Sequence, residues 1–263
     1  MTQTLIPGTE DDLRDIIADA LARDATLDVK GGGSKSALGR YAPQKLKLSL
    51  SGLSQITLYE PEELVMTTGA GAPLSTIQDL LAQHGQQLAF EPPDWSALLG
   101  SEQNQTIGGV IACNLSGPRR LTAGAARDHF LGVRAVSGRG EIFKSGGRVV
   151  KNVTGYDMCK LLAGSYGTLA AMTEVTFKVL PVGEKLRSLL VFGLTDGDAV
   201  KALGAALQSP HAVSAAAHLP RDIALASGVG YVRDANEAVT AVRIEGHGPS
   251  VDARLAALRE LLG

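Results

Sequence analysis

Gly31-Gly32-Gly33-Ser34-Lys35-Ser36 sets bare backbone, two hydroxyls and an amine just after Leu27-Asp28-Val29, which reads as a short strand. Strand, glycines, then Ser and Lys is an order that suits a phosphate cradle, because successive backbone N–H groups can converge on one anion. A second unusual stretch runs Gln105-Thr106-Ile107-Gly108-Gly109-Val110-Ile111-Ala112-Cys113-Asn114-Leu115-Ser116-Gly117. Its small side chains leave clearance for a flat ring, and its amides and hydroxyls could serve ring carbonyls and nitrogens. Two such segments on one chain suggest a long ligand with phosphates at one point and a flat ring at another.

FAD has that shape, and the first loop has competitors. A nucleotide-binding P-loop needs G-K-[ST], but here Ser34 precedes Lys35. A dinucleotide-binding G-x-G-x-x-G fits Gly31, Gly33 and Ser36 badly. A plain glycine turn remains open. For the second stretch, tight helix-to-sheet packing selects the same small residues, and the two readings stand level.

The elements that must carry these loops are legible. Thr9 with Asp12 is a capping pair for a helix with Leu13, Ile16, Ile17, Ala20 and Leu21 on one face. Leu46 to Leu50 and Leu64 to Thr68 read as strands, and Pro73 opens a helix with Leu74, Ile77, Leu80 and Leu81 inward, closed by Gly85. Strands crossed by helices predict an α/β subdomain here. Past Pro92-Pro93, Val133 to Val136 and Glu141 to Lys144 flank a hairpin turn, Asp157 caps a short helix, and Leu169 to Leu180 is a long strand. From Lys185 the order is β-α-β-β-α: Ser188 to Leu194, Asp196 to Leu207 with Val200, Leu203 and Leu207 inward, His211 to Leu219, Val239 to Ile244, and a last helix with Val251, Leu255, Leu258, Leu261 and Leu262. That is a ferredoxin-like unit short of its final strand.

The bulk numbers exclude some classes. The 263 residues carry a formal net charge of −2, with 4% aromatics. Nothing favours nucleic acid as a partner. No secretory signal or apolar span is visible in the sequence, so a cytoplasmic place is expected. The 2 cysteines, Cys113 and Cys159, are too few for an iron–sulfur cluster or a zinc site and read as reduced, partly buried thiols. No metal is expected.

Lys30 to Ser36, Gln105 to Gly117, Lys151-Asn152-Val153-Thr154-Gly155-Tyr156-Asp157 and Gly164-Ser165-Tyr166-Gly167-Thr168-Leu169, in this order, resemble the vanillyl-alcohol-oxidase-type (PCMH-type) FAD domain. The resemblance covers residues 10 to 181. Phe90-Glu91-Pro92-Pro93, Ser116-Gly117-Pro118-Arg119-Arg120 and Gly147-Arg148-Val149-Val150-Lys151-Asn152-Val153 narrow it to the FAD-binding subunits of bacterial glycolate-oxidase-type complexes. The implied fold is of α+β class: a two-lobed FAD-binding domain over 1–181, then a short, incomplete ferredoxin-like lobe over 182–263. By the same resemblance, Gly31, Gly32, Gly33, Ser34, Lys35 and Ser36 would hold the pyrophosphate. Thr106, Ile107, Gly108 and Gly109 would continue the pyrophosphate and ribityl wall. Asn114, Ser116 and Gly117 would lie toward the flavin, and Gly167, Thr168 and Met172 near the adenine end or flavin edge. Ala170 replaces the usual glycine of G-T-L-G. No counterpart of a flavin-linking histidine is evident, so the FAD is expected to be noncovalent.

The resemblance further implies flavin-dependent oxidation of glycolate to glyoxylate, with a larger FAD-linked subunit and an iron–sulfur subunit as partners and membrane association through them. A self-sufficient FAD oxidoreductase and a noncatalytic FAD-stabilised assembly subunit are the alternatives. The catalytic base is unassigned. His84 reads as a helix-end residue, His129 as ion-paired or exposed, His211 and His218 as strand residues, His247 as a loop residue. Arg119, Arg120 and Arg127 are better candidates for contacts to an anion.

Overall fold

The computed structural model describes residues 4–39, 46–148 and 155–263. The motif Lys151–Thr154, and Val149-Val150 before it, lie outside the described residues. Contacts divide the chain into two units, Met1–Gly117 with Gly124–Pro181, and Pro118–Ala123 with Val182–Gly263.

The first unit opens with β1 (Thr4–Leu5), α1 (Glu10–Ala22), β2 (Leu27–Lys30) and β3 (Leu46–Ser49). The strands form a parallel sheet in the order β1-β3-β2. Thr9 caps α1 as expected: its hydroxyl accepts from the Asp12 N–H at 3.1 Å and its own N–H donates to Asp12 Oδ2 at 2.9 Å, an arrangement worth about 1 kcal/mol. Leu13 and Ile17 of α1 join Leu48, Leu50, Val136 and Ala171 in one buried cluster.

The next strands are β4 (Ile56–Glu60) and β5 (Val65–Gly69), followed by α2 (Leu74–Gln83), β6 (Gln86–Gln87), α3 (Ser96–Leu99) and α4 (Ile107–Ala112). After the short turn α5 (Arg120–Ala123) come α6 (Ala126–His129), β7 (Phe130–Ser137), β8 (Ile142–Gly146), α7 (Met158–Leu162), β9 (Ala170–Lys178) and β10 (Leu180–Pro181). The large sheet is antiparallel, in the order β4-β5-β9-β7-β8. This corrects the sequence reading of β5, which was assigned to the α/β layer. Its five residues are all buried, so its sequence showed no exposed face to choose between the sheets, and it pairs with the long β9. Met66, Ile77, Leu81, Phe90, Ile107, Phe130 and Phe177 form the main core around it.

The second unit holds β11 (Lys185–Phe192), α8 (Asp196–Gln208), β12 (Ala215–Leu219), α9 (Arg221–Leu225), α10 (Gly230–Arg233), β13 (Val239–Gly246) and α11 (Gly248–Leu262). Its antiparallel sheet has the order β11-β13-β12, the arrangement of a ferredoxin-like unit with β11 at an edge. β12 starts at Ala215 rather than His211. The inward face of α8 is Ala199, Leu203 and Ala206. Val200 and Leu207, expected inward, are exposed, because one step along a helix turns a side chain about 100°. On α11, Val251, Leu255, Leu258 and Leu262 pack as expected while Leu261 is exposed. Arg119 donates through Nε to Glu245 Oε1 at 2.9 Å and through Nη2 to Oε2 at 3.2 Å. Both partners belong to this unit, and the pair ties the Pro118–Ala123 segment to β13.

Candidate functional site

The glycine loop leaves the C-terminal end of β2 and turns on Gly33, whose φ of +84° suits a residue without Cβ. Ser36 closes the turn, its hydroxyl donating to the Gly33 carbonyl at 2.7 Å. The second segment forms α4, capped by Thr106, whose Oγ1 accepts from the Gly109 N–H at 3.3 Å. The helix start is pinned to the end of β5: the Ile107 N–H donates to Ala72 O at 3.0 Å and the Gly108 N–H to Ala70 O at 2.9 Å. A Cβ on Gly108 would fall 2.6 Å from that same carbonyl oxygen, so close backbone approach requires this glycine.

The two segments meet. A Cβ on Gly32 would fall 1.9 Å from the Asn104 carbonyl oxygen. Lys35 Nζ donates to Gln105 Oε1 at 2.8 Å and to Ser34 Oγ at 3.3 Å. A third loop joins them at the other end of α4, where the Gly164 N–H donates to Ile111 O at 3.3 Å and the Tyr166 N–H to Ala112 O at 2.9 Å.

Between these three loops lies a cavity of about 700 Å³, within the range of about 300–1,000 Å³ usual for cofactor sites. Of the residues singled out in the sequence, Gly31 to Ser36, Thr106, Gly108, Gly109, Gly167 and Met172 line it. Ala112 and Cys113 of the second segment, Tyr166 of the third loop and Ala170 just after it also line it, as do Leu50 and Ala70, which sequence reading missed. Ala112 and Cys113 follow Gly109 by one helical turn, and Ala170 and Met172 alternate along β9.

The remaining expected contacts stand elsewhere. Ile107 is fully buried in the main core. Thr168 is exposed and its hydroxyl donates to Ser165 O at 2.7 Å. Asn114, at φ +48°, uses its Oδ1 to accept the Arg127 N–H at 2.9 Å. The Ser116 hydroxyl accepts from the Ala126 N–H at 2.8 Å and donates to Asn114 O at 3.2 Å. Gly117 presses on Glu91, whose carbonyl oxygen would be 2.2 Å from a Cβ. These last three brace the segment behind α4 rather than line the cavity.

Of the arginines proposed for an anion, Arg120 is exposed and the other two are engaged. Arg119 pairs with Glu245, as described, and Arg127 Nη2 donates to Ala163 O at 2.9 Å. His129 is fully buried against the Phe90 ring at 5.4 Å rather than exposed, because α6 ends there and turns the ring inward. His84 ends α2, edge-on to Tyr59 at 5.2 Å. His218 bridges Thr240 Oγ1 at 2.8 Å and Asp196 Oδ1 at 3.3 Å, and His247 contacts Glu184 Oε2 at 2.7 Å.

The cavity wall suits an anion beside an apolar ring. Among the described residues, no backbone hydrogen bond takes the N–H groups of Gly32, Gly33, Ser34 or Lys35. Burial lowers the pKa of Lys35, with Cys113 and Asp94 partly opposing. Burial raises that of Cys113. Ala70, Ala112, Ala170 and Met172 supply the apolar surface.

A family model described as "FAD binding domain" matches residues 2–146. The chain belongs to this FAD-binding family. FAD is thus the cofactor for which the donors and apolar wall above provide a fitting cradle. The FAD-binding chain is 41% identical over 162 residues to "Glycolate oxidase subunit GlcE" of Escherichia coli, covering 62% of this chain and 44% of that protein. It is 30% identical over 189 residues to "D-lactate dehydrogenase" of Archaeoglobus fulgidus, covering 72% and 40%. It is 32% identical over 187 residues to "Glycolate oxidase subunit GlcD" of Bacillus subtilis, covering 71% and 38%. The chain thus spans less than half the length of each of these relatives. Among solved structures, alkyldihydroxyacetonephosphate synthase superposes with a TM-score of 0.77 at 18% identity, covering 98% of this chain and 51% of that one. p-Cresol methylhydroxylase superposes with a TM-score of 0.75 at 12% identity, covering 98% and 55%. Both show the fold. Among the described residues, no helix is long and apolar enough to cross a membrane.

Proposed function

We propose that the chain is the FAD-binding subunit of a glycolate-oxidase-type complex that oxidises a 2-hydroxy acid, glycolate to glyoxylate. The observation that carries this reading is the junction of the glycine loop with α4 around one cavity, in a chain similar to two glycolate oxidase subunits. Bound FAD would supply acceptance of two electrons from the carbon bearing the hydroxyl. The residues of this chain would bind the cofactor and exclude water. The Gly32–Lys35 amides and the Lys35 ammonium would face the diphosphate, while Ala112, Ala170 and Met172 would pack on the apolar portion. Attachment would be noncovalent, in keeping with the lack of a sequence counterpart to a flavin-linking histidine.

Partners complete the proposal: a larger FAD-linked subunit and an iron–sulfur subunit as electron acceptor, in the cytoplasm, with any membrane association through them. The test mixes the flavin-loaded chain with glycolate, alone and after co-purification with those partners. The reading requires the isolated chain's flavin band to persist and the complex to turn over glycolate. An isolated chain that bleaches with glycolate, and turns over at a rate unchanged by partners, would show a self-sufficient enzyme. A complex equally active without this chain's flavin would make it an assembly subunit.

A further inference from the structure

Lys35 is a half-buried ammonium on the cavity wall with neutral direct partners. Its Nζ reaches Gln105 Oε1 at 2.8 Å and Ser34 Oγ at 3.3 Å. Lys30, on the same wall, has its charge met by Asp28 Oδ2 at 2.9 Å. Among the described residues no carboxylate lies within ion-pairing distance of Lys35. Asp94 acts on it only from beyond that distance, and holding a cation away from water without a directly paired counter-charge is costly. A neutral side chain could join the loops more cheaply, so the charge itself calls for an explanation.

Gln105 is oriented by its other side. Its Nε2 donates to the Pro93 carbonyl at 3.1 Å and approaches Asp94 Oδ1 at 3.5 Å. Two acceptors on one flank force the amide NH₂ that way and leave Oε1 facing Lys35. Asp94 is itself fixed, accepting the Ser96 N–H at 2.9 Å. A chain of polar contacts therefore runs from the Pro93–Ser96 turn through Gln105 to the ammonium. It ends beside the Gly32–Lys35 amides, which have no backbone partner among the described residues.

We propose that Gln105 is a positioning residue that holds the Lys35 ammonium on the cavity wall as the counter-charge for the cofactor's diphosphate. The inference rests on the reading that the cavity takes FAD. A neutral amide suits this task better than a carboxylate, because it fixes the ammonium without cancelling its charge. The lowered pKa of Lys35 from burial agrees with a cation awaiting its anion.

The test measures affinity of the flavin-stripped full chain for FAD and for riboflavin, which lacks phosphate, across a range of salt concentrations. Inorganic pyrophosphate serves as competitor. Lys35→Met should weaken FAD binding roughly ten- to hundredfold, the worth of a charged hydrogen bond. It should flatten the salt dependence and leave riboflavin affinity unchanged. Lys35→Arg should keep the salt dependence. Gln105→Glu is decisive: a mere staple would be strengthened by an ion pair, whereas a cancelled counter-charge should weaken FAD about tenfold and abolish competition by pyrophosphate. Circular dichroism checks the fold, and Gln105→Glu keeps the test in force should Lys35→Met not fold. FAD affinity and salt dependence equal to wild type in folded Gln105→Glu would overturn the proposal. A wild-type chain that binds no FAD would overturn the underlying reading instead.

Discussion

An ideal Cβ on Gly31 would fall 2.0 Å from Oγ1 of Thr106, so the glycine loop and the cap of α4 touch with no space for a methyl group. Two segments far apart in sequence thus form one wall, and neither can shift alone.

Gly31→Ala should therefore lower both melting temperature and FAD affinity. Thr106→Ala should cost about 1 kcal/mol through loss of the helix cap. Because the Thr106 hydroxyl and methyl groups are what the new Cβ would strike, the double variant should be less destabilised than the sum of the two changes. Additive losses in thermal or denaturant melts would refute the contact.

Gly108 and Gly109 should separate folding from binding. A Cβ at Gly108 meets the Ala70 carbonyl oxygen at 2.6 Å, whereas at Gly109 its one near neighbour is Thr106 Oγ1 at 3.3 Å. Gly108→Val should destabilise by several kcal/mol, beyond the roughly 1–3 kcal/mol of ordinary overpacking. Gly109→Val should stay folded and lose FAD, since its side chain enters the cavity. Full flavin occupancy in Gly109→Val would remove α4 from the binding wall.

The contrast marks what sequence could and could not convey. Glycine spacing located the wall, and the Thr9–Asp12 box and the α2 stripe placed their helices. Yet Gly108 and Gly109 both line the cavity, while only at Gly108 would a Cβ strike the neighbouring backbone, so tight packing and cavity lining sit one residue apart. Asn114, Ser116 and Gly117 carry the small, polar character of a lining, but their groups are spent on Arg127, Ala126 and Glu91. Composition cannot tell a lining from its brace. The burial of His129 was equally hidden, since Arg127-Asp128 before it advertises a surface.

Glu245 should make the second unit acid-sensitive. Burial alone raises its pKa, but hydrogen bonds from Arg119 and Ser214 and the charges of Arg119 and Arg243 outweigh burial and hold it below the ordinary 4.5. A depressed folded value means the stabilisation is present above the ordinary carboxylate range. It is lost as pH falls through the lower, folded value. Glu245→Ala, which removes the carboxylate both guanidiniums face, should cost about 3 kcal/mol at neutral pH. Glu245→Gln should cost less and show a shallower loss of stability on acidification. Melts that fall equally steeply with acid in wild type and Glu245→Gln would contradict the assignment.

The two thiols should differ. Cys159 is buried with its pKa pushed up to about 12, while Cys113 is half-buried on the cavity wall. A maleimide should label the flavin-free chain at Cys113 alone and slowly, since burial also raises that thiol's pKa. FAD should protect it. Peptide mapping that finds equal labelling with and without FAD would place the cofactor elsewhere.

The most direct measurement is acid precipitation of the purified, FAD-reconstituted chain, with the flavin in supernatant and pellet quantified and identified. The account predicts FAD equimolar with the chain, all of it in the supernatant, and none taken up by folded Gly109→Val. Colour retained on the pellet would contradict noncovalent attachment. A folded wild-type chain that takes up no flavin would contradict the account as a whole.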